Sequence, residues 1–151
     1  MLRLFKILAV AVVALLVLAQ FFPPVRTNPP VNPVATFEAV AKPSQEVVSI
    51  VKRACYDCHS NLTVWPWYSR VAPVSWLIAE DVTDGRARLN FSQWNLLSQE
   101  AAKQRLTGAC EEVRDGEMPL WQYRLMHPEA RLTEQDVTAL CNVVSPGDTP
   151  R

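Results

Sequence analysis

At 151 residues, with 49% hydrophobic and 20% charged residues, the chain has the length and balance of one globular domain. Its formal charge is zero overall, but the stretch from Ser44 to Asp148 carries 14 acidic and 10 basic residues, a net charge of −4. That mild acidity excludes the basic surface on which nucleic-acid binding depends.

Arg3 and Lys6 precede an apolar run from Ile7 to Phe22, the pattern of a secretory signal or an uncleaved signal anchor. Val17-Leu18-Ala19 is an acceptable cleavage pattern. The apolar character nevertheless continues through Phe21 and Phe22, and with Leu4 and Phe5 it approaches the roughly 20 residues that span a bilayer. Residues 1–22 are therefore expected to form a single-pass anchor in the inner membrane, with the positive end cytoplasmic and the domain facing the periplasm. The alternative is a soluble periplasmic protein after cleavage, and both deliver the chain to an oxidising compartment. Residues 23–43 contain Pro23, Pro24, Pro29, Pro30, Pro33 and Pro43 without helical or strand period. They read as an extended Pro-rich linker, reaching roughly 3 Å per residue, that holds the domain off the membrane; the alternative is that part of it, around Phe37, packs along the domain surface.

The folded domain is expected over residues 44–147. Ser44 is a plausible N-cap, and Val47, Val48, Ile50, Val51 and Ala54 form one apolar helical face that runs into Cys55-Tyr56-Asp57-Cys58-His59. This is C-x-x-C-H, the attachment sequence for a c-type haem. Two thiols three residues apart on one helical turn each reach a haem vinyl group, and His59 follows in position to ligate the iron. A structural zinc site would need a second close cysteine pair, and Cys110 and Cys141 stand too far apart to supply one. A redox dithiol would need a strand–helix context, which the surrounding pattern lacks.

The next stretch carries Trp65, Trp67, Tyr68 and Trp76 among Pro66 and Pro73, which predicts an irregular loop. Trp65, Trp67 and Tyr68 are candidates for the wall of the haem crevice. Arg70 is a candidate partner for a propionate, with a solvated surface arginine as the plain alternative. Helix resumes from about Pro73 to Asp84 and is expected to stop before Gly85. A further helix is predicted from Ser98 to Arg114, with Ala102, Leu106, Ala109 and Val113 in one stripe and Gly116 as its terminator. The last helix starts at Thr133, with Asp136 at the capping-box position; Val137, Leu140, Cys141 and Val144 form its buried face, and Pro146-Gly147 stop it. The fold class is all-α, a small cytochrome c-like helical domain. Cys110 and Cys141 lie on the inner faces of the last two helices, either as a disulfide or as two buried thiols.

The sixth iron position has three candidate ligands. Met118 sits in the loop Asp115-Gly116-Glu117-Met118-Pro119, free of helical constraint, and a thioether there raises the potential as an electron carrier requires. Met126 and His127 compete with it, and an open site is the fourth possibility.

The motifs Cys55 to Asn61, Val64-Trp65-Pro66-Trp67-Tyr68, Val71 to Ile78, and Gly116-Glu117-Met118-Pro119, with Tyr123, His127-Pro128 and Ala130-Arg131-Leu132-Thr133, together resemble the bacterial haem-binding domain family. The resemblance covers most of the chain from about Val31. It implies one covalently bound haem c, held through Cys55 and Cys58 with His59 as the proximal ligand, and it favours Met118. Cys110 and Cys141 fall outside its motif. The expected function is one-electron transfer in the periplasm by a membrane-anchored monohaem cytochrome, with redox-protein partners and no catalytic residue. The alternative is a haem enzyme or a gas or redox sensor with an open sixth site.

Overall fold

Side-chain caps open the helices that the sequence marks. In the computed structural model, which describes residues 1–143, Ser44 Oγ accepts from Val47 N at 3.3 Å and Ser98 Oγ from Ala101 N at 3.2 Å. Thr133 and Asp136 form a reciprocal capping box, with Asp136 Oδ2 accepting from Thr133 N at 2.8 Å. The helices are α1 (Leu2–Ala19), α2 (Phe37–Ala41), α3 (Gln45–Ala54), α4 (Tyr56–His59), α5 (Val74–Arg88), α6 (Gln99–Arg114), α7 (Trp121–Met126) and α8 (Glu134–Asn142), joined by loops and short 3-10 turns. No strand occurs among the described residues, so the domain is all-α. Val144 and Pro146-Gly147, read as the end of the last helix, and the domain boundary at 147 lie outside the described residues.

The apolar stripe of α3 is buried through Val47, Ile50, Val51 and Ala54. It faces a cluster of aromatic rings: Phe37, Tyr56, Phe91 and Trp94. Phe37 meets Phe91 and Trp94 edge-on at 5.3 and 4.7 Å, and Tyr56 stacks on Phe91 at 5.7 Å. Three of these rings come from two segments without a clear sequence pattern. Phe91 and Trp94 lie on a 3-10 turn (Phe91–Leu96), and Phe37 lies on α2.

Phe37 corrects the expectation of a linker over residues 23–43. Its side chain is 1% exposed, Ala35 is buried, and Thr36 caps α2 through Ala39 N at 3.3 Å. The residues before it are also tied down. Arg86 on α5 donates to Thr27 O at 2.8 Å and to Asn28 Oδ1 at 3.0 Å, while the Asn28 amide donates to Thr63 O at 2.8 Å. Proline keeps residues 23–32 out of regular structure but does not prevent attachment, because their carbonyls and polar side chains still find partners on the domain.

Gly85 corrects a second expectation. α5 passes straight through it and ends at Arg88. α5 crosses the Cys55–His59 turn so closely that a Cβ at Gly85 would stand 2.6 Å from Cys58 O and 3.0 Å from Cys58 C. The glycine is a packing residue, which hydrophobic periodicity alone does not reveal. Gly85→Ala is expected to push α5 off the Cys55–His59 turn, costing about 1–3 kcal/mol by overpacking; urea unfolding of the variant against the parent reads the loss.

α6 ends where its glycine requires: Asp115 is the C-cap and Gly116 takes φ +76°, the left-handed conformation. α6 and α8 pack together and are joined by a Cys110–Cys141 disulfide with Cα atoms 5.1 Å apart. Its sequence separation is 31 residues, so the paired replacement Cys110→Ser with Cys141→Ser is expected to cost about 3–4 kcal/mol through the longer reach of the unfolded chain. A denaturant titration against the parent measures this. Mass analysis of the unreduced parent must first find the two thiols joined.

Candidate functional site

The turn Cys55–His59 is anchored by its own residues and by Arg53, two residues before it. Arg53, on the last turn of α3, donates to Glu129 O at 2.6 Å and pairs with Asp136 Oδ1 at 2.6 Å, fastening α3 to α8. The two residues between the cysteines are equally engaged. The Tyr56 hydroxyl donates to Glu38 Oε1 at 2.5 Å from within the aromatic core. Asp57 accepts from Val64 N at 2.9 Å and from the Tyr123 hydroxyl at 2.7 Å, joining the turn to the following loop and to α7. A C-x-x-C turn with both intervening side chains committed in this way is held rigid.

His59 Nδ1 lies 3.1 Å from Leu89 O. A carbonyl only accepts, so Nδ1 carries the proton and Nε2 keeps its lone pair free. Burial lowers the affinity of the ring for a second proton, which preserves the neutral ligating form. The cysteines behave differently from a redox pair. Burial, then the neighbouring Cys58, pushes the Cys55 thiol up to about 12. Burial, then Asp81 and Asp57, pushes the Cys58 thiol to about 12 as well. Dithiol oxidoreductases lower such values to generate a thiolate, the opposite of what this environment does.

Cys55, His59 and Met118 line one cavity of about 390 Å³. Its walls are apolar, with Val47 and Val51 from α3, Phe37, Phe91, Leu106 and Ala109 from α6, and Leu140 from α8. Its polar lining comprises Arg88, Gln104, Arg105, Glu111 and Glu112. A cavity in the size range of cofactor pockets, largely apolar and bearing a thiol, an imidazole, a thioether, two guanidinium groups and two carboxylates, offers what a haem needs: a dry face for the macrocycle, nitrogen and sulfur for the iron, and cations for the propionates, with the two carboxylates left outside that set.

A family model for the haem-binding domain matches residues 14–145. The chain belongs to the haem-binding domain family. No match was found among curated proteins or among solved structures. Haem binding is thus a property of this chain, and the matched region begins within α1, so the 23–43 segment packed by Phe37 and Arg86 falls inside the family unit.

The haem-binding domain places the other expected residues away from the cavity. Trp65 donates its indole N–H to Asn28 Oδ1 at 3.1 Å, Trp67 is exposed, and Arg70 is exposed at the end of a 3-10 turn (Trp67–Arg70). The Tyr68 hydroxyl lies 2.7 Å from His127 Nε2, and His127 Nδ1 lies 2.9 Å from Glu129 Oε1. None of these residues lines the cavity: the structure places Trp65, Trp67 and Tyr68, expected in the crevice wall, and Arg70, expected at a propionate or in solvent, outside it. The loop carrying them leaves the attachment turn on the side where α5 packs, and Phe37 and Phe91 take the wall instead. Of the three candidate sixth ligands, Met118 lines the cavity. Met126 is exposed, and both ring nitrogens of His127 are occupied. Cys58 is turned toward α5.

Arg88, Arg105 and the Leu89 carbonyl were not legible beforehand. The arginines sit among other charged residues on helix faces with nothing to single them out, and a backbone carbonyl has no residue code.

Proposed function

We propose that the protein is a membrane-anchored c-type cytochrome that carries one haem and passes single electrons between redox proteins in the periplasm. The observation that carries this reading is the convergence of Cys55, His59 and Met118 on one apolar cavity, with His59 oriented by Leu89 O. When bound, haem supplies a one-electron iron couple. The chain's own residues do the rest. The Cys55 and Cys58 thiols would each add across a haem vinyl group, sulfur bonding one carbon and the thiol hydrogen passing to the other, so that no external oxidant is needed. His59 through Nε2 and Met118 through its sulfur would hold the iron, Arg88 and Arg105 would pair with the propionates, and the walls from α3, α6 and α8 exclude water. α1 has a mean hydropathy of 2.5 over 18 residues, which makes it long and apolar enough for the membrane span.

Production of the full chain with a cytochrome-maturation apparatus tests the reading. Haem should stay on the chain through acid–acetone extraction and a denaturing gel, and the ferric protein should be low-spin with a sulfur-to-iron charge-transfer band. Haem lost on extraction would overturn covalent attachment. A high-spin haem that takes up carbon monoxide would replace the electron carrier with an open-site enzyme or sensor.

A further inference from the structure

α1 does not end in free chain. The Gln20 carboxamide, one residue beyond it, grips the backbone of Ala72 from both sides: Oε1 accepts from Ala72 N at 3.0 Å and Nε2 donates to Ala72 O at 3.2 Å. The Trp76 indole N–H donates to Phe22 O at 2.8 Å. The start of α5 and the loop before it therefore lie against the membrane-side end of the domain.

The surface presented there is apolar. Val71, Val74, Trp76 and Leu77 are 45%, 42%, 40% and 60% exposed, and Phe21 and Phe22 continue the band onto the end of α1. Scattered exposed side chains of this kind are ordinary, but a band continuous with a membrane-spanning helix is not. α5 changes character along its length. No charged residue occurs from Val71 to Ala79, whereas Glu80, Asp81, Asp84, Arg86 and Arg88 fill the remainder. A helix in water normally separates apolar from polar by face. This one also separates them by end, which suits an element that enters an interface tip first. Trp76 has the amphipathic ring that settles at the headgroup level, and the exposed Arg70 just before the band is placed to meet phosphate groups.

We propose that Val71, Val74, Trp76 and Leu77 rest in the lipid interface of the bilayer that α1 spans, so that the haem domain is docked on the membrane surface instead of held off it. This rests on the reading of α1 as an uncleaved anchor. The docking fixes the orientation of the haem relative to the membrane, and its partners then meet a domain confined to the surface.

The full haem-loaded chain in phosphatidylcholine nanodiscs provides the test, with photoreactive benzoylphenylalanine placed singly at Leu15 in the span, at Leu77 or Val74 in the band, and at Lys103 on α6. Irradiation should give lipid adducts at position 15 and at 77 or 74 in comparable yield, and none at 103. The second band position decides if the first variant loses its haem spectrum. Adducts at 15 alone would overturn the docking while leaving the anchor intact. Chain-to-chain adducts at 77 would mean that a second copy covers the band. Absence of lipid adducts at both 15 and the band would overturn the anchor, and the docking with it.

Discussion

Cys55→Ser combined with Cys58→Ser is expected to abolish covalent haem retention completely, so that acid–acetone extraction strips all haem from a chain that otherwise keeps it. The serine hydroxyl does not add to a vinyl group under conditions in which a thiol does, and little else changes, because the Tyr56 and Asp57 contacts that shape the turn are untouched. Any haem still associated is held by His59, Met118 and the apolar walls alone. The single variants separate the two bonds. Each keeps one thioether and shifts the pyridine haemochrome band to longer wavelength, the signature of a remaining vinyl group. The two are not expected to be equivalent. Cys55 already borders the cavity, whereas Cys58 must turn away from α5 to reach a vinyl, so Cys58→Ser leaves the easier bond in place and should retain the larger share of haem. Covalent haem in the double variant would show that the attachment point lies elsewhere.

Met118→Ala is expected to open the sixth position. The ferric charge-transfer band disappears, the spectrum becomes high-spin, and carbon monoxide binds to the reduced protein. The reduction potential should fall by a sizeable part of the ~0.8 V span that axial ligation covers, because a thioether favours ferrous iron. No substitute is at hand among the described residues that line the cavity, since Met126 is exposed outside it and His127 is engaged by Tyr68 and Glu129. Met118→His provides the complementary measurement: a low-spin haem at lower potential. Persistence of the sulfur band in Met118→Ala would assign the distal position to another residue. The loop that carries Met118 is well suited to the role. Glu112 O accepts from Glu117 N at 3.0 Å and from Met118 N at 3.1 Å, and Gly116 adopts the left-handed conformation that turns the chain back. Replacing Gly116 would thus disturb the ligand indirectly.

The attachment turn, the apolar first helix and the capped starts of α3, α6 and α8 were all legible in the residues. Each is a local property. Cys55, Cys58 and His59 fall within one short helical turn, a run of apolar residues needs no partner to identify it, and a cap is settled within four positions of the chain. Where reading failed, the deciding contacts lay far apart in sequence. Phe37 stands between prolines that mask a five-residue helix, and only its packing on Phe91 and Trp94, more than 50 residues away in the chain, makes it core. Gly85 reads as a terminator until Cys58 is seen against it. The aromatic run Trp65 to Tyr68 reads as the wall of a crevice because it follows the motif, yet proximity in sequence did not place it at the cavity.

The sequence by itself determined that this chain has an N-terminal helix apolar enough for a membrane span or a signal sequence, an all-α domain and a C-x-x-C-H turn, because those features depend on residue type and short spacing. Only the tertiary structure decided that Met118 and not His127 borders the cavity, that Leu89 O orients His59, and that the Pro-rich segment lies on the domain. Those outcomes depend on which surfaces and which backbone groups long-range packing brings together, and neither has a signature in the local pattern of side chains.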